Sequence, residues 1–146
     1  MQYRNLNSYV AVVNLFKVPI MKPRYIKSIL YVDDELLNLK AFKATFRREF
    51  HVFTAISAIE GRKILETVNV DVVVSDHQMP GMKGIEFLKS IISDFPKPVR
   101  ILLTGYADPA EVKEAIYKGY VYKCILKPWN AKELQNEIES ALQAGY

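Results

Sequence analysis

The 146-residue sequence is poor in cysteine, histidine and long apolar runs, and each shortage closes a class of function. The one cysteine, Cys124, permits no internal disulfide and fits a reducing compartment such as the cytosol. Of the two histidines, His77 has no Cys or His partner nearby, so it is expected to line a loop rather than ligate a metal. The one apolar stretch near the amino terminus, Tyr9 to Ile20, is interrupted by Asn14 and Lys17 and is too short to span a bilayer. It also lacks the basic start and small-residue cleavage site of a signal peptide. Internal repeats, low-complexity segments and a helix-turn-helix are absent from the sequence.

Charge of one sign is scarce in the body of the chain. The net charge is +4, yet five of the 20 Lys and Arg residues lie in residues 1–27, which hold no acid. That leaves 15 bases against 16 acids elsewhere, so the folded part is not expected to bind nucleic acid directly. The basic leader is read as solvated, with no membrane partner.

What is present is an alternation of short apolar strands and helical periods. Strands are predicted at 28–32, 51–55, 70–75, 99–103 and 121–125. Between and after them, Leu39, Phe42 and Phe46 recur at helical spacing, and 57–67, 84–95 and the segment opened by Asp108-Pro109 read as helices. A last helix opens near Asn130 and presents Leu134, Ile138 and Leu142. Ile59, Ile64 and Leu65 are candidate core contacts of the second helix, and Glu111 is expected to complete a capping box with Asp108. Near-continuous apolar strands argue for a parallel sheet covered on both faces. Right-handed crossovers then favour an α/β, flavodoxin-like, doubly wound sheet of five parallel strands, (βα)5. Residues 27–146 make that domain, and residues 1–26 are expected to lie outside its core.

Such a sheet gathers whatever follows its strands at one edge. The first strand is followed by Asp33 and Asp34, the third by Asp76, the fourth by Thr104 and the fifth by Lys127. Three converging carboxylates repel one another unless one takes up a proton or a cation joins them. An oxygen-only donor set suits Mg²⁺, and the cation with Lys127 would draw in a phosphoryl group. A carboxylate at the centre, Asp76, is then placed to accept it as an aspartyl phosphate. Taken singly, Asp33 or Asp34 reads as a helix cap, Thr104 as a turn residue and Lys127 as a surface lysine.

Four motifs in order, "VDDE" (32–35), "SDHQMPGMKG" (75–84), "LTGYAD" (103–108) and "KPW" (127–129), resemble the receiver domain of two-component response regulators, over about residues 27–144. The resemblance implies that Asp76 is the phosphoacceptor and that Asp33 and Asp34 organise Mg²⁺ with Asp76 and the backbone carbonyl of Gln78. It implies that Thr104 is the switch hydroxyl, that Lys127 binds the phosphoryl group and that the Lys127–Pro128 bond is cis. It further implies a histidine kinase or phosphotransfer protein as donor and a downstream protein target or output domain as recipient of the signal. Dimerisation would use the face of the fourth helix, fifth strand and fifth helix. No turnover is implied beyond phosphorylation and dephosphorylation of the chain itself, in the cytoplasm. Either the receiver is free-standing or it is part of a longer regulator, such as a cyclic-di-nucleotide phosphodiesterase or a hybrid kinase.

An aspartate-nucleophile phosphatase of the haloacid dehalogenase type would place D-x-D after the first strand, where this chain has "DDE". A flavodoxin would need a hydroxyl-rich loop there. The chain departs from the receiver pattern at one place: Cys124 stands three residues before Lys127, where receivers usually carry Tyr or Phe. Tyr122, two residues earlier, is placed by strand alternation on the same face as Cys124. Trp129 is read either as a partner contact or as a lid on the last helix.

Overall fold

A computed structural model describes residues 25–144. The strands are β1 (Ser28–Val32), β2 (His51–Ala55), β3 (Val72–Asp76), β4 (Val99–Thr104) and β5 (Lys123–Leu126). The helices are α1 (Leu36–Phe46), α2 (Ala58–Thr67), α3 (Gly84–Ser90), α4 (Pro109–Tyr117) and α5 (Ala131–Gln143). All strand pairs are parallel, in the order β2-β1-β3-β4-β5. This is the flavodoxin-like order, whose switch point lies between β1 and β3. The expectation for residues 1–24 lies outside the described residues.

Burial follows strand position. Every residue of β1, β3 and β4 is buried, whereas the edge strands β2 and β5 are partly exposed. Alternating side chains feed two cores. Ile29, Tyr31, Val72, Val74, Ile101 and Leu103 pack with Leu39, Phe42 and Phe46 of α1 and Leu134 and Ile138 of α5. Leu30, Val32, Val73 and Leu102 pack with Leu65 of α2, Phe87 and Leu88 of α3 and Ala115 of α4.

Several local expectations change. β3 runs through Asp76 and β4 through Thr104, so both side chains sit on the strands themselves rather than in the loops beyond. α3 stops at Ser90, short of residue 95. Ile59 is 72% exposed, because α2 turns Gly61 and Leu65 inward instead. A Cβ on Gly61 would come within 3.0 Å of Val32 and 3.1 Å of Phe87, so close approach of α2 selects the glycine face. Asp108 caps α4 by accepting from the Ala110 N–H, while Glu111 does not close a capping box: its carboxylate lies 3.6 Å from His77 Nε2. Tyr122 packs against the α1/α5 core and Cys124 against the other, so they do not share a face. Tyr122 precedes β5, and strand alternation does not extend to it.

Candidate functional site

The site sits where β1, β3, β4 and β5 end. Asp33 leaves β1 wholly buried, and its backbone N–H donates to Ala55 O. Asp33 Oδ1 accepts from the Glu35 N–H at 2.9 Å. That bond goes to the N–H of Glu35, which itself occupies the N-cap position of α1, so it orders the loop and is not a helix cap: α1 has no side-chain cap, and neither Asp33 nor Asp34 supplies one. Asp33, Asp34 and Asp76 each offer an oxygen within 4.8 Å of the others. Asp34 is exposed; the other two are buried. Lys127 Nζ bridges the two buried carboxylates, at 3.1 Å from Asp33 Oδ2 and 3.2 Å from Asp76 Oδ1. The five predicted side chains therefore come from four strand ends, and four of them meet around one point.

The fifth, Thr104, is fully buried but faces its own loop. Its hydroxyl donates to Tyr106 O at 2.7 Å and accepts from Tyr106 N at 3.2 Å. Its carbonyl accepts from the Lys127 N–H at 2.8 Å, which ties β4 to the start of the lysine loop. The Lys127–Pro128 bond is cis. Gln78 is exposed in the loop after β3. Trp129 is half-buried, with ring centroids 5.7 and 6.1 Å from Phe46 and Phe42 of α1, and it packs against the core cluster that α1 shares with Leu134 and Ile138 of α5.

The electrostatics separate the two buried acids. Burial pushes the Asp76 carboxyl above the ordinary range; Lys127 opposes this and the charge on Asp33 adds to it. Asp33 suffers burial too, but the Tyr31 hydroxyl, the Glu35 N–H and Lys127 outweigh it and hold the carboxyl below the ordinary range. Burial would depress Lys127, yet its two carboxylate partners raise it, so it stays cationic at neutral pH. All donors in the cluster are carboxylate oxygens, a set that fits a hard divalent cation.

Two contributors escaped the reading of the sequence. Tyr31 donates to Asp33 Oδ2 at 2.6 Å. Burial and that hydrogen bond push the phenol far above its ordinary value, so it serves as a donor. The signal was available: residues i and i+2 of a strand lie on one side, and Asp33, one residue past β1, still continues its pairing with β2 through Ala55 O. Gly84 is the second. A Cβ there would fall 2.1 Å from the Asp76 carbonyl oxygen, and its N–H donates to His77 O at 2.9 Å. Any side chain at 84 would displace the loop that carries the acid, which gives the last residue of "GMKG" a steric reason.

The family model for the response regulator receiver domain matches residues 29–139. The hydrogenase transcriptional regulatory protein HoxA of Cupriavidus necator is 37% identical over 117 residues, which cover 80% of this chain and 24% of that protein. A cyclic di-GMP phosphodiesterase of Thermotoga maritima is 32% identical over 117 residues, covering 80% of this chain and 31% of that protein. The chain thus spans less than a third of either curated relative. The solution structure of the beryllofluoride-activated NtrC4 receiver domain dimer superposes with a TM-score of 0.76 at 29% identity, covering 83% of this chain and 100% of that one. The sheet order, the acids just beyond β1 and at the end of β3 and the family match from β1 into α5 converge on one assignment: this chain belongs to the response regulator receiver domain family.

Proposed function

We propose that Asp76 is the phosphoacceptor of this receiver and that Lys127 and Thr104 respond to its phosphorylation. A histidine kinase or phosphotransfer protein is the donor. An Asp76 carboxylate oxygen attacks phosphorus, the new O–P bond forms, and the bond from phosphorus to the donor imidazole breaks. The observation that carries this reading is the Lys127 ammonium seated between Asp33 and Asp76. A cation there neutralises charge on the incoming group, and the strand end holds the acceptor beside it. Asp33, Asp34, Asp76 and the Gln78 carbonyl are the proposed ligands of Mg²⁺, which when bound supplies further neutralisation of the phosphoryl oxygens. Thr104 leaves Tyr106 for a phosphoryl oxygen, which releases the β4–α4 loop.

Receivers are signalling modules, so no external substrate is expected to be turned over. Residues 27–146 form the module and residues 1–26 lie outside its core; in support, Lys27 already contacts the sheet, its carbonyl accepting from the His51 N–H. The lone Cys124 supports a cytoplasmic site. The output is a downstream protein or an attached domain, with dimerisation through α4, β5 and α5 as one route. Ile116, Tyr117 and Leu126 are exposed there, and the NtrC4 relative is a dimer. The cyclic di-GMP phosphodiesterase relative supports a second reading of the output, in which the receiver governs such an enzyme.

Acetyl phosphate with Mg²⁺ should add one phosphoryl mass to the chain, and Asp76→Asn should abolish the addition. Equal incorporation by the variant under brief exposure would remove Asp76 from its role.

A further inference from the structure

We infer that Tyr31 is a positioning residue for the acidic site: its hydroxyl fixes the Asp33 carboxylate and keeps Asp33 Oδ2 paired when Lys127 moves to a phosphoryl group. This rests on the proposed role of Asp76 and Lys127.

A buried hydroxyl without a partner is costly, and Tyr31 is 1% exposed among apolar neighbours on β1. Its hydroxyl donates to the Asp33 carboxylate, at the short distance expected of a charge-assisted bond. The ring cannot drift, because it lies 4.3 Å from Phe42, centroid to centroid, inside the α1/α5 core. A rigid strand and a packed ring thus aim one oxygen at one carboxylate.

The loading of that carboxylate is uneven. Oδ2 receives Tyr31 at 2.6 Å, Asn38 Nδ2 at 3.1 Å and Lys127 Nζ at 3.1 Å. Oδ1 receives the Glu35 N–H. The three donors turn Oδ2 inward and leave Oδ1 the less encumbered oxygen for a cation. They also differ in mobility. Lys127 is shared with Asp76 and must follow any group placed there. Asn38 is part-exposed and also bonded to Glu35. Tyr31 alone of the three is locked in the core. When the lysine leaves, Oδ2 keeps its shortest hydrogen bond, and the carboxylate does not have to rotate away from the cation to find a new donor. A residue that supports a metal-binding carboxylate in this way typically changes affinity by about 10–100-fold when lost.

Tyr31→Phe removes a single oxygen and keeps the ring. Titration with magnesium chloride alone, without phosphodonor, read through the fluorescence of the sole tryptophan, Trp129, gives the dissociation constant directly. The variant should bind Mg²⁺ about tenfold more weakly. Phosphorylation by acetyl phosphate should need correspondingly more Mg²⁺ and recover at saturation, so the half-saturating concentration moves and the maximal rate does not. A packing role would lower the melting temperature and leave the Mg²⁺ constant alone. Unchanged Mg²⁺ affinity in Tyr31→Phe, with wild type binding normally, overturns this inference and spares the proposed function. Failure of the wild type to bind Mg²⁺ at millimolar concentration overturns both.

Discussion

Two buried carboxylates bracket β3, and they could hardly be used more differently. Asp71, just before the strand, is 5% exposed; Asp76, at its end, is 8% exposed. Asp71 Oδ2 accepts from the Ser28 N–H at 2.8 Å, and its own backbone N–H donates to Ser28 O at 3.0 Å. Its carbonyl accepts from the Val99 N–H. Asp71 thereby stitches β1, β3 and β4 together at their amino ends, with Lys97 3.6 Å away as a half-exposed counterion. Asp76 carries no such stitching by its side chain. Its neighbours are a lysine and two more acids, and its burial opposes its charge. One residue type, at the two ends of one strand, thus closes a ladder at one end and at the other sits in the cleft proposed for phosphoryl chemistry. The difference follows from the parallel sheet: amino ends need their first backbone groups satisfied, while carboxyl ends converge on a cleft.

The largest expected effect sets the two against each other directly. Asp76→Asn should take phosphoryl incorporation from acetyl phosphate to nothing, while Asp71→Asn should leave the added mass intact. Loss of incorporation in the Asp71 variant, with the fold preserved by circular dichroism, would break the division between the two ends.

Stability should rank them the other way. Asp71→Ala leaves the buried Ser28 N–H without its acceptor, at a cost of about 1–3 kcal/mol. The Lys97 pair adds little, because the ammonium is half-exposed. Urea unfolding at neutral pH, with chelator present, measures the loss. Asp76→Asn should instead melt higher than wild type, and the gain should depend on pH. The folded pKa of Asp76 is raised, so its contribution is favourable while it is protonated and is lost as pH rises from the ordinary carboxylate value through the raised one. The advantage of Asp76→Asn should therefore be full above that window and vanish below the ordinary carboxylate range. Asp33 has the opposite sign: its stabilisation is present above the ordinary value and lost as pH falls through its lowered one. An Asp76→Asn advantage that grew on acidification would contradict the assigned direction.

These particulars mark what a linear reading can reach. The site was legible because each of its members directly ends or follows a strand, and a parallel order brings those ends together whatever the details of packing. The Asp33–Tyr31 bond was overlooked for a related reason: β1 reads as wholly apolar, and a tyrosine in it passes as a ring rather than a hydroxyl. Glu111 illustrates a different limit. Its spacing from Asp108 satisfies a capping box, but His77, 34 positions away in sequence, stands within reach of its carboxylate. Arg100 is similar. In "VRILL" it interrupts an apolar strand, yet it is 7% exposed, because its guanidinium donates to the carbonyls of Pro98, Gly119 and Tyr120. In each case local pattern named the element correctly and a partner distant in sequence decided the side chain.

The smallest expected effect concerns how far a signal leaves the Asp76 end. Cys124 of β5 pairs in register with Leu102 and is half-buried against the α2–α4 side of the sheet. It stands where receivers usually carry a ring, and a thiol fills far less space. If Thr104 leaves Tyr106 as proposed, little bulk at Cys124 is available to follow it toward the sheet. A contact joins the residue after Asp76 to α4: the His77 imidazole lies 3.6 Å from the Glu111 carboxylate. Beryllofluoride with Mg²⁺ should therefore shift NMR amide signals of Thr104, Lys127 and His77 strongly, those of α4 weakly, and those of Ser28 and Asp71 not at all. In Cys124→Tyr the restored ring should enlarge the α4 shifts and leave the Ser28 and Asp71 signals still. Equal α4 shifts in the two proteins would mean that the route through His77 and Glu111 suffices and that the thiol is only a small core residue.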